Sequence, residues 1–294
     1  MDPATAEAVQ VAAARLARAE RLLVGTGAGM SAESGIPTYR RPGSTSWSNY
    51  GAFERGVKAE DLACPQAFED DPARAWGFFA WKRRMVAAAR PHAGYAALHA
   101  LAARVPEAFV QTSNVDGLHL RAGWPAARLH EVHGSMWRLQ CSGPCSRRAW
   151  PEPRVPLVDL DEEALVARSW PRCPDCGRAA RPHMLMFADL DYVGDPPAEA
   201  ARARFHARGE EHRGRLGPDV FLIVGESGVI PTHAHDANLL RRAHGTFVVS
   251  LNPDPTSKAA RLADVHLSLG ALEALIALEA ATRSEDVRGV RNRS

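Results

Sequence analysis

The chain alternates short apolar runs with longer segments of helical periodicity. Continuous apolar runs occupy residues 22–24, 108–112, 184–187, 220–224 and 246–251. Runs of this length suit strands that are buried on both faces of a parallel sheet. Helices are expected at the start of the chain, at 72–89, 92–104, 196–208 and 233–243, and finally at 271–282. This alternation predicts an α/β fold built on a parallel sheet.

Two helix starts are marked by capping residues. Asp2 precedes Pro3, and Asp71 precedes Pro72. An aspartate can accept hydrogen bonds from the first N–H groups of a helix, and proline fits the first helical position. The helix after Asp71 is apolar on two faces, so we expect it to pack between two bodies.

Two stretches lack such a pattern. Residues 40–71 are rich in Gly, Pro, Ser and aromatic side chains, which predicts a loop with short helical pieces. The polar residues 283–294 are expected to be disordered.

The composition is that of an ordinary globular protein. The 294 residues suffice for one large or two modest domains, with 46% hydrophobic and 24% charged residues. Acids and bases are interspersed and give a formal net charge of +2, so charge does not argue for nucleic acid as a partner. No signal peptide is visible, and the apolar runs are too short to span a bilayer. These features predict a cytoplasmic protein that does not enter a membrane.

Four of the five cysteines form two close pairs. The pairs are Cys141 with Cys145 and Cys173 with Cys176. In a reducing compartment this spacing favours a closed, structural Zn²⁺ site with four thiolate ligands over disulfides. The alternatives are four unrelated buried cysteines, or a nucleic-acid-binding zinc ribbon, which has little support from charge. Cys64 lies outside the set and is expected to be a small buried hydrophobe.

A glycine-rich turn follows the first apolar run. Gly25, Gly27 and Gly29 would let the backbone approach a phosphate at the start of a helix. A glycine-rich turn on its own is as often a simple tight turn as a phosphate-binding turn. The next residues, 31–40, include Ser-Gly-Ile-Pro, which breaks the helix and must carry the chain across the ligand site.

Several motifs together resemble the signature of the sirtuins. The segment 27–37 (GAGMSAESGIP) is followed in order by 112–119 (TSNVDGLH), 132–135 (VHGS) and the two cysteine pairs. Residues 181–187 and 251–253 also match, and the resemblance covers about residues 4 to 275. Sirtuins are NAD-dependent protein deacylases that can also transfer ADP-ribose.

The resemblance implies three catalytic residues. Asp116 would hold the carboxamide of nicotinamide, and Asn114 would order the ribose or a nearby water. His133 would be the general base that acts on a ribose hydroxyl, a step that suits a histidine of near-neutral pKa. The alternative for His133 is a structural histidine, which its place in the His-Gly-Ser motif disfavours.

The resemblance also implies the residues that contact NAD. They lie in the glycine turn and the segment after it, beside the catalytic loop, and after the later strands. They are Gly27, Ala28, Gly29, Ser31, Thr38, Tyr39, Arg40, Ser113, Asn114, Asp116, Gly225, Ser227, Asn252, Asp264 and Val265. For the residues after the later strands, the alternative is an ordinary polar loop residue.

The acyl-lysine substrate would bind as an added strand between two loops. One loop contains Phe187 and Asp189, and the other contains Val229. Phe79 and Lys82 stand where the branch that removes acidic acyl groups carries a Tyr and an Arg. Lys is a poorer fork for a carboxylate than Arg, so an anionic acyl group is not favoured. The alternative for this pair is core packing for Phe79 and a solvated charge for Lys82.

Three further positions depart from the family pattern. Thr38 replaces the usual Asp, and Ser113 replaces the usual Gln. Glu226 replaces a small hydroxyl residue before Ser227, where a carboxylate would repel phosphates unless it turns away. These changes suggest a divergent bacterial-type branch.

The predicted fold is a Rossmann-like parallel-sheet domain with a smaller inserted helical and zinc-binding domain. The first comprises 1–39, 92–135 and 181–294, and the second comprises 40–91 and 136–180. The leading function is NAD-dependent deacylation of protein lysine, which yields nicotinamide, free lysine and O-acyl-ADP-ribose. The alternatives are protein mono-ADP-ribosyl transfer, which uses the same cleavage of NAD, and a non-catalytic NAD sensor.

Overall fold

The computed structural model describes residues 1–38, 58–143, 145–152, 159–213, 217–228, 230 and 232–291. Its strands are β1 Arg21–Thr26, β2 Glu107–Thr112, β3 Leu129–Glu131, β4 Gly134–Cys141, β5 Ala149–Pro151, β6 Leu160–Asp161, β7 Val166–Ala167, β8 Ala180–Met184, β9 Val220–Val224, β10 Phe247–Leu251 and β11 Val265–Leu267. Its helices are α1 Pro3–Leu16, α2 Gly29–Ala32, α3 Ala59–Leu62, α4 Pro65–Asp70, α5 Pro72–Ala88, α6 Ala93–Arg104, α7 Leu118–Arg121, α8 Pro196–Arg213, α9 Thr232–His244, α10 Lys258–Leu262 and α11 Ala271–Arg291.

Six strands form one parallel sheet, in the order β11-β10-β9-β1-β2-β3. The strands β1 and β9 at its centre are buried along their whole length, as expected for a parallel sheet covered on both faces. The order changes direction beside β1, and ligands bind at such switch points, at the carboxyl ends of the strands.

Helices cover both faces of this sheet. On one face, α1, α6 and α11 pack together and bury side chains such as Val9, Leu98 and Leu278. On the other face, Phe205 of α8 and Ala237 of α9 join a second apolar cluster. The predicted Rossmann-like α/β architecture is confirmed by this arrangement.

A second sheet has three antiparallel strands in the order β5-β4-β8. The prediction of a buried parallel strand at 184–187 is wrong, because β8 ends at Met184 and runs antiparallel to β4. Beyond it, Leu185 and Phe187 are 44% and 49% exposed. A short apolar run cannot by itself distinguish a buried strand from an exposed turn.

Both predicted caps are confirmed. The Asp2 carboxylate accepts a hydrogen bond from Thr5 N at 3.0 Å, and that of Asp71 accepts one from Arg74 N at 3.1 Å. The helix α5 that Asp71 caps is buried on several sides, and its Trp76 donates an Nε1–H bond to Ala180 O at 2.8 Å. The helix is thus buried on several sides, and its packing between two bodies stays a prediction.

The end of the chain differs from expectation. Helix α11 continues to Arg291, whereas the polar sequence predicts disorder from residue 283. Arg283 lies 3.7 Å from Glu279, one helical turn earlier, so a polar sequence there is compatible with a solvated helix. Cys64 also differs, since it is only partly buried.

Among the described residues, we find no helix with the length and apolarity needed to cross a membrane.

Candidate active site

Four loops meet at the carboxyl edge of the large sheet. The turn after β1 and the loops after β2, β9 and β10 are joined by backbone hydrogen bonds: Gly27 N donates to Val224 O at 2.9 Å, Ser113 N to Thr26 O at 2.9 Å, and Gly225 N to Leu251 O at 2.8 Å. The sheet thus brings together segments that are more than 200 residues apart in sequence.

The glycine turn lies directly against the loop after β9. Gly29 N donates to Gly225 O at 2.9 Å. A Cβ on Gly29 would lie 2.6 Å from Gly225 Cα, and one on Gly225, whose φ is +68°, would lie 2.4 Å from Met30 N. Besides any approach of a phosphate, the glycines therefore allow two loops to touch. No sequence motif indicates this second role.

Behind the turn, three predicted residues form a buried polar cluster. Ser31 Oγ donates to Asp116 Oδ2 at 2.6 Å. Asn114 Nδ2 donates to Ser31 Oγ at 3.1 Å and to Gly27 O at 2.9 Å. Tyr95 OH lies 3.1 Å from Ser31 Oγ. Sequence reasoning missed Tyr95, because no motif marks it.

The environment of Asp116 favours a carboxyl that can share a proton. Burial raises the pKa of Asp116, while the hydrogen bonds from Ser31 and from Leu118 N oppose that shift. Burial also raises the pKa of Tyr95, so its hydroxyl keeps its proton. A buried carboxyl of this kind can pair with a carboxamide, which offers both a donor and an acceptor.

The small sheet holds the Asp116 loop from the other side. Trp137 of β4 donates its Nε1–H to Asp116 O at 2.6 Å, and Met136 N donates to Val115 O at 3.0 Å. Gly117 has φ of +72°, and a Cβ there would lie 2.8 Å from the Trp137 ring. Sequence reasoning missed Trp137, because its partner is a backbone atom that no motif identifies.

His133 follows β3 at the same edge. Its Nδ1 lies 3.2 Å from Ser113 O, and in the tautomer that donates this bond Nε2 carries the lone pair. Burial lowers the pKa of His133, and the bond to Ser113 opposes the shift. The ring is therefore neutral at pH 7, as a general base must be.

Glu226 directs its carboxyl to the amino end of α9. Its Oε1 accepts a hydrogen bond from His233 N, in the first turn of α9, at 3.2 Å. Its backbone O accepts one from Asn252 Nδ2 at 2.8 Å, which fixes the predicted Asn252 beside the loop. The adjacent Ser227 is exposed. The N–H groups at the start of α9 thus face the carboxyl that the sequence analysis expected to repel phosphates.

The structure does not bring Asp264 and Val265 to this edge. Asp264 precedes β11, and its carboxylate accepts bonds from Val248 N at 2.8 Å and Arg241 at 2.6 Å. Val248 lies near the start of β10, so both predicted residues stand at the amino end of their strand. Their position speaks against contact with NAD. The family motif gives the positions of these residues in the sequence, but it does not show which end of β11 they occupy.

The residues predicted for the substrate fall into different environments. Phe187 is half-exposed, and its N–H donates to Ala63 O at 3.0 Å. Asp189 instead forms an ion pair with Arg181 at 2.7 Å, with both side chains 0% exposed. Asp189 also accepts a bond from Met186 N at 3.2 Å. It holds the turn, and in this position its carboxylate is not offered to a substrate, contrary to the prediction.

Phe79 and Lys82 are both buried in α5. The Phe79 ring lies 5.5 Å from Phe68 and 5.3 Å from Phe78, centre to centre, as core packing requires. Lys82 is only 2% exposed, and its ammonium lies 5.1 Å from the Phe78 ring centre. A solvated charge, the alternative for Lys82, is therefore wrong, because aromatic rings cover it.

The four paired cysteines meet at one point. Sγ of Cys141 lies 3.5 Å from Sγ of Cys176, and Sγ of Cys145 lies 3.5 Å from Sγ of Cys173. All four ligand atoms lie within 4.8 Å of one another. Tetrahedral zinc with Zn–S bonds of about 2.3 Å needs sulfur–sulfur separations of about 3.8 Å. The four thiols fit a closed structural zinc site.

Four predicted residues lie at or beyond the limits of the part of the chain that the structure describes. Tyr39, Arg40 and Val229 lie outside the described residues. Thr38 is the last described residue before that gap and is partly buried.

The fold and the site define a Rossmann-like protein with a buried carboxyl and a histidine at its switch point and a four-cysteine module beside it. The model of the Sir2 family matches residues 27–230, more than half of the chain. The chain belongs to the Sir2 family, the sirtuins, as the motifs predicted.

Curated relatives agree with this assignment. NAD-dependent protein deacylase 2 of Pyrobaculum aerophilum is 37% identical over 261 residues, which cover 88% of this chain and 90% of the relative. NAD-dependent protein deacylase 1 of Pseudomonas aeruginosa is 37% identical over 242 residues, which cover 82% and 86%.

Solved structures share the whole architecture. A mutant Sir2 homologue in complex with ADP-ribose superposes with a TM-score of 0.71 at 27% identity, covering 97% of this chain and 98% of that one. A Sir2 homologue in complex with NAD gives 0.70 at 28% identity, covering 97% and 95%.

Proposed function

We propose that the protein is an NAD-dependent protein-lysine deacylase that releases nicotinamide, free lysine and O-acyl-ADP-ribose. One observation carries the proposal: Asp116, buried and bonded to Ser31, lies at the same sheet edge as the neutral His133. Membership of the Sir2 family supports it, as do relatives that are named NAD-dependent protein deacylases.

Each residue of the site has a chemical role in this proposal. The C–N bond between ribose and nicotinamide breaks, and the acyl oxygen of the modified lysine bonds to the ribose carbon. Asp116 holds the departing carboxamide, and Asn114 orders the ribose or a water. His133 accepts the proton of a ribose hydroxyl, which then attacks the former acyl carbon. Water adds to the same carbon and its bond to the lysine nitrogen breaks, so that free lysine and O-acyl-ADP-ribose leave. Near-neutral pH suits this step because the imidazole is already deprotonated.

The remaining contacts are assigned by the same reasoning. The turn Gly27–Gly29, with Ser31, Ser113, Gly225 and Ser227, would contact the phosphates and the nicotinamide ribose, and Asn252 would meet the adenosine ribose. Helix N-termini and glycine turns supply unpaired N–H donors for phosphates. The four cysteines would hold Zn²⁺, which stabilises the small module and takes no part in the chemistry.

We further propose the division into two domains at the boundaries predicted from the sequence, with the acyl-lysine protein bound in the cleft between them. Phe187, half-exposed on its turn, would line the path of the peptide. We propose a cytoplasmic location and no specific nucleic-acid partner, since the net charge is only +2.

The direct test is mass spectrometry of lysine peptides that carry acetyl, longer aliphatic or succinyl groups, incubated with and without NAD. We expect NAD-dependent loss of at least one acyl group and equimolar O-acyl-ADP-ribose. Release of nicotinamide with ADP-ribosylated protein and intact peptides would instead indicate ADP-ribosyl transfer. Binding of NAD without any release of nicotinamide would indicate a sensor and contradict the proposal.

A further inference from the structure

We propose that Glu226 makes the binding of NAD proton-linked, so that the protein binds NAD more tightly when the Glu226 carboxyl is protonated than when it is ionised. The inference rests on the proposed function, because it takes the loop containing Gly225 and Ser227 as the place of the NAD diphosphate. Glu226 then acts as a positioning residue that sets affinity without touching the ligand.

Glu226 connects the segments that would hold the dinucleotide. Its backbone O accepts the bond from Asn252 Nδ2 at 2.8 Å. A Cβ on Gly27 would lie 3.1 Å from Glu226 Cα, so the glycine turn packs directly on this residue. Because these contacts fix the main chain on both sides, a change at the Glu226 side chain acts on the glycine turn and on the loop after β10.

The Glu226 carboxyl occupies the amino end of helix α9, where an external anion could otherwise bind. The N–H of His233, in the first turn of the 13-residue helix α9, donates to Oε1 at 3.2 Å, and the N–H of Ala234 also faces the carboxyl. The amino end of a helix carries partial positive charge that attracts phosphates. An ionised Glu226 neutralises this charge next to the loop that would bind the diphosphate.

The negative charge of an ionised Glu226 is only partly offset by hydrogen bonds. Glu226 is only 6% exposed, and its Oε2 is buried without a hydrogen bond among the described residues. Burial raises the pKa of Glu226 to about 7, and the bonds from α9 oppose the shift. The carboxyl therefore changes its charge within the physiological range of pH.

The charged groups of α9 and α8 do not compensate for this burial. Asp236 of α9 is a further negative charge that raises the pKa of Glu226. Arg202 of α8 is already paired with Asp236 at 2.8 Å. The ring of His233 lies 3.0 Å from Thr26 O, and burial lowers its pKa to about 4, so it brings no positive charge near pH 7.

The segment on the other side, residues 252–262, carries Asp254, Lys258 and Arg261. Lys258 begins α10, and its N–H donates to Ser227 O at 3.4 Å, while its side chain packs on Gly228. Asp254 caps its own turn through Thr256, and those bonds lower its pKa. Asp254 therefore keeps its negative charge throughout the neutral range and cannot be the source of a proton linkage there.

The sign of the effect follows from linkage. A diphosphate beside the loop disfavours a second negative charge, so bound NAD raises the pKa of Glu226 further. Since protonation and binding then favour each other, the complex takes up protons and affinity falls as pH rises through about 7. One group can change the dissociation constant by at most about tenfold per pH unit.

The test is isothermal titration calorimetry with ADP-ribose, on the full chain, at several pH values from about 6 to 8.5 and in buffers of different ionisation heat. For the wild type we expect proton uptake near pH 7 and a dissociation constant that rises about five- to tenfold across the range. Glu226→Gln keeps an oxygen for the His233 N–H, and we expect tight binding with a flat pH profile.

Other groups with shifted pKa values lie at this edge: burial lowers the pKa of His133, raises that of Asp116 and raises that of Glu131, at the end of β3, to about 8. His133→Ala and Glu131→Gln are therefore the matched controls. In His133→Ala the proton uptake assigned to Glu226 should persist. If Glu226→Gln does not fold, proton uptake that persists in both His133→Ala and Glu131→Gln decides the question, whereas its loss in Glu131→Gln assigns the uptake to Glu131 and overturns the inference. Uptake that is absent from His133→Ala, or a wild-type slope retained in Glu226→Gln, overturns the inference. Absence of any ADP-ribose binding by the wild type would instead contradict the proposed function.

Discussion

Ser31 and Asp116, 85 residues apart in the sequence, are joined by a hydrogen bond of 2.6 Å that is sealed from solvent. Asn114 completes the cluster by donating to the same hydroxyl. Ser31 thus gives one proton to a carboxylate and accepts another from an amide, which orients both functional groups. Substitutions in this cluster, and of Trp137, which holds the Asp116 loop, should therefore alter catalysis more than they alter the fold.

Asp116→Asn should lower the rate of nicotinamide release by about 10- to 100-fold, the value expected when a hydrogen bond to a charged buried group is lost. The substitution keeps the shape, but its one amide oxygen can accept only one of the bonds from Ser31 and Leu118 N, so circular dichroism must show that the variant is folded. Nicotinamide can be quantified by chromatography, with Ser31→Ala as a milder companion. Wild-type rates in folded Asp116→Asn would exclude a direct role for the carboxyl.

His133→Ala should reduce deacylation by about 100-fold or more, as expected for removal of a general base. Its fold and zinc content should be retained, since the substitution removes only the imidazole and its hydrogen bond to Ser113 O. Deacylation is followed by mass spectrometry and zinc by atomic absorption. Undiminished deacylation by a folded, zinc-replete variant would refute the assigned role.

The pH dependence of the wild type should show the lowered pKa of His133. The base is active when deprotonated, so activity falls as pH drops through this pKa. Because burial lowers it, the acid limb of kcat/KM should lie below the ordinary histidine value of about 6.5. A limb at or above that value would contradict the assignment of His133 as the titrating base.

Trp137→Phe should lower the rate of nicotinamide release by about fivefold, the effect expected from the loss of one buried hydrogen bond. An aromatic ring and part of its packing remain, but the bond to Asp116 O is removed. Trp150→Phe, in the neighbouring strand β5, serves as the control and should be neutral. An equal effect of both substitutions would mean that Trp137 only stabilises the small sheet.

Asp189→Asn should destabilise the protein by about 3–5 kcal/mol, because it leaves the Arg181 charge buried and unpaired. Glu162→Gln breaks the exposed pair with Arg84 and should cost under about 0.5 kcal/mol. Denaturant unfolding monitored by circular dichroism measures both. A small loss in the free energy of unfolding for Asp189→Asn would mean that the Asp189 carboxylate is not needed to hold the turn and could bind the substrate.

Much of the fold could be predicted from the chain because its signals are local. The caps Asp2 and Asp71, the buried strands near 22, 110, 222 and 249, and the paired cysteines all depend on neighbours in sequence. The run at 184–187 failed because its pairing depends on β4, a distant strand.

The site was predictable only as a set of motif positions. The sequence indicated Ser31, Asn114 and Asp116 but not that they bond to one another. It placed Asp264 among the residues that contact NAD, although this residue precedes β11 and lies beside the start of β10. The burial of Lys82 and the orientation of Glu226 likewise result from long-range packing, which no local pattern encodes.

The contact between Gly29 and Gly225 also constrains how the chain can evolve. At most contacts in a protein, a larger residue on one side can be accommodated by a smaller residue on the other side. Here both residues are already glycine. No compensating point substitution is available at the pair. Suppressors of a change at either position would have to arise as insertions that move one of the two loops, and these would alter the NAD site itself.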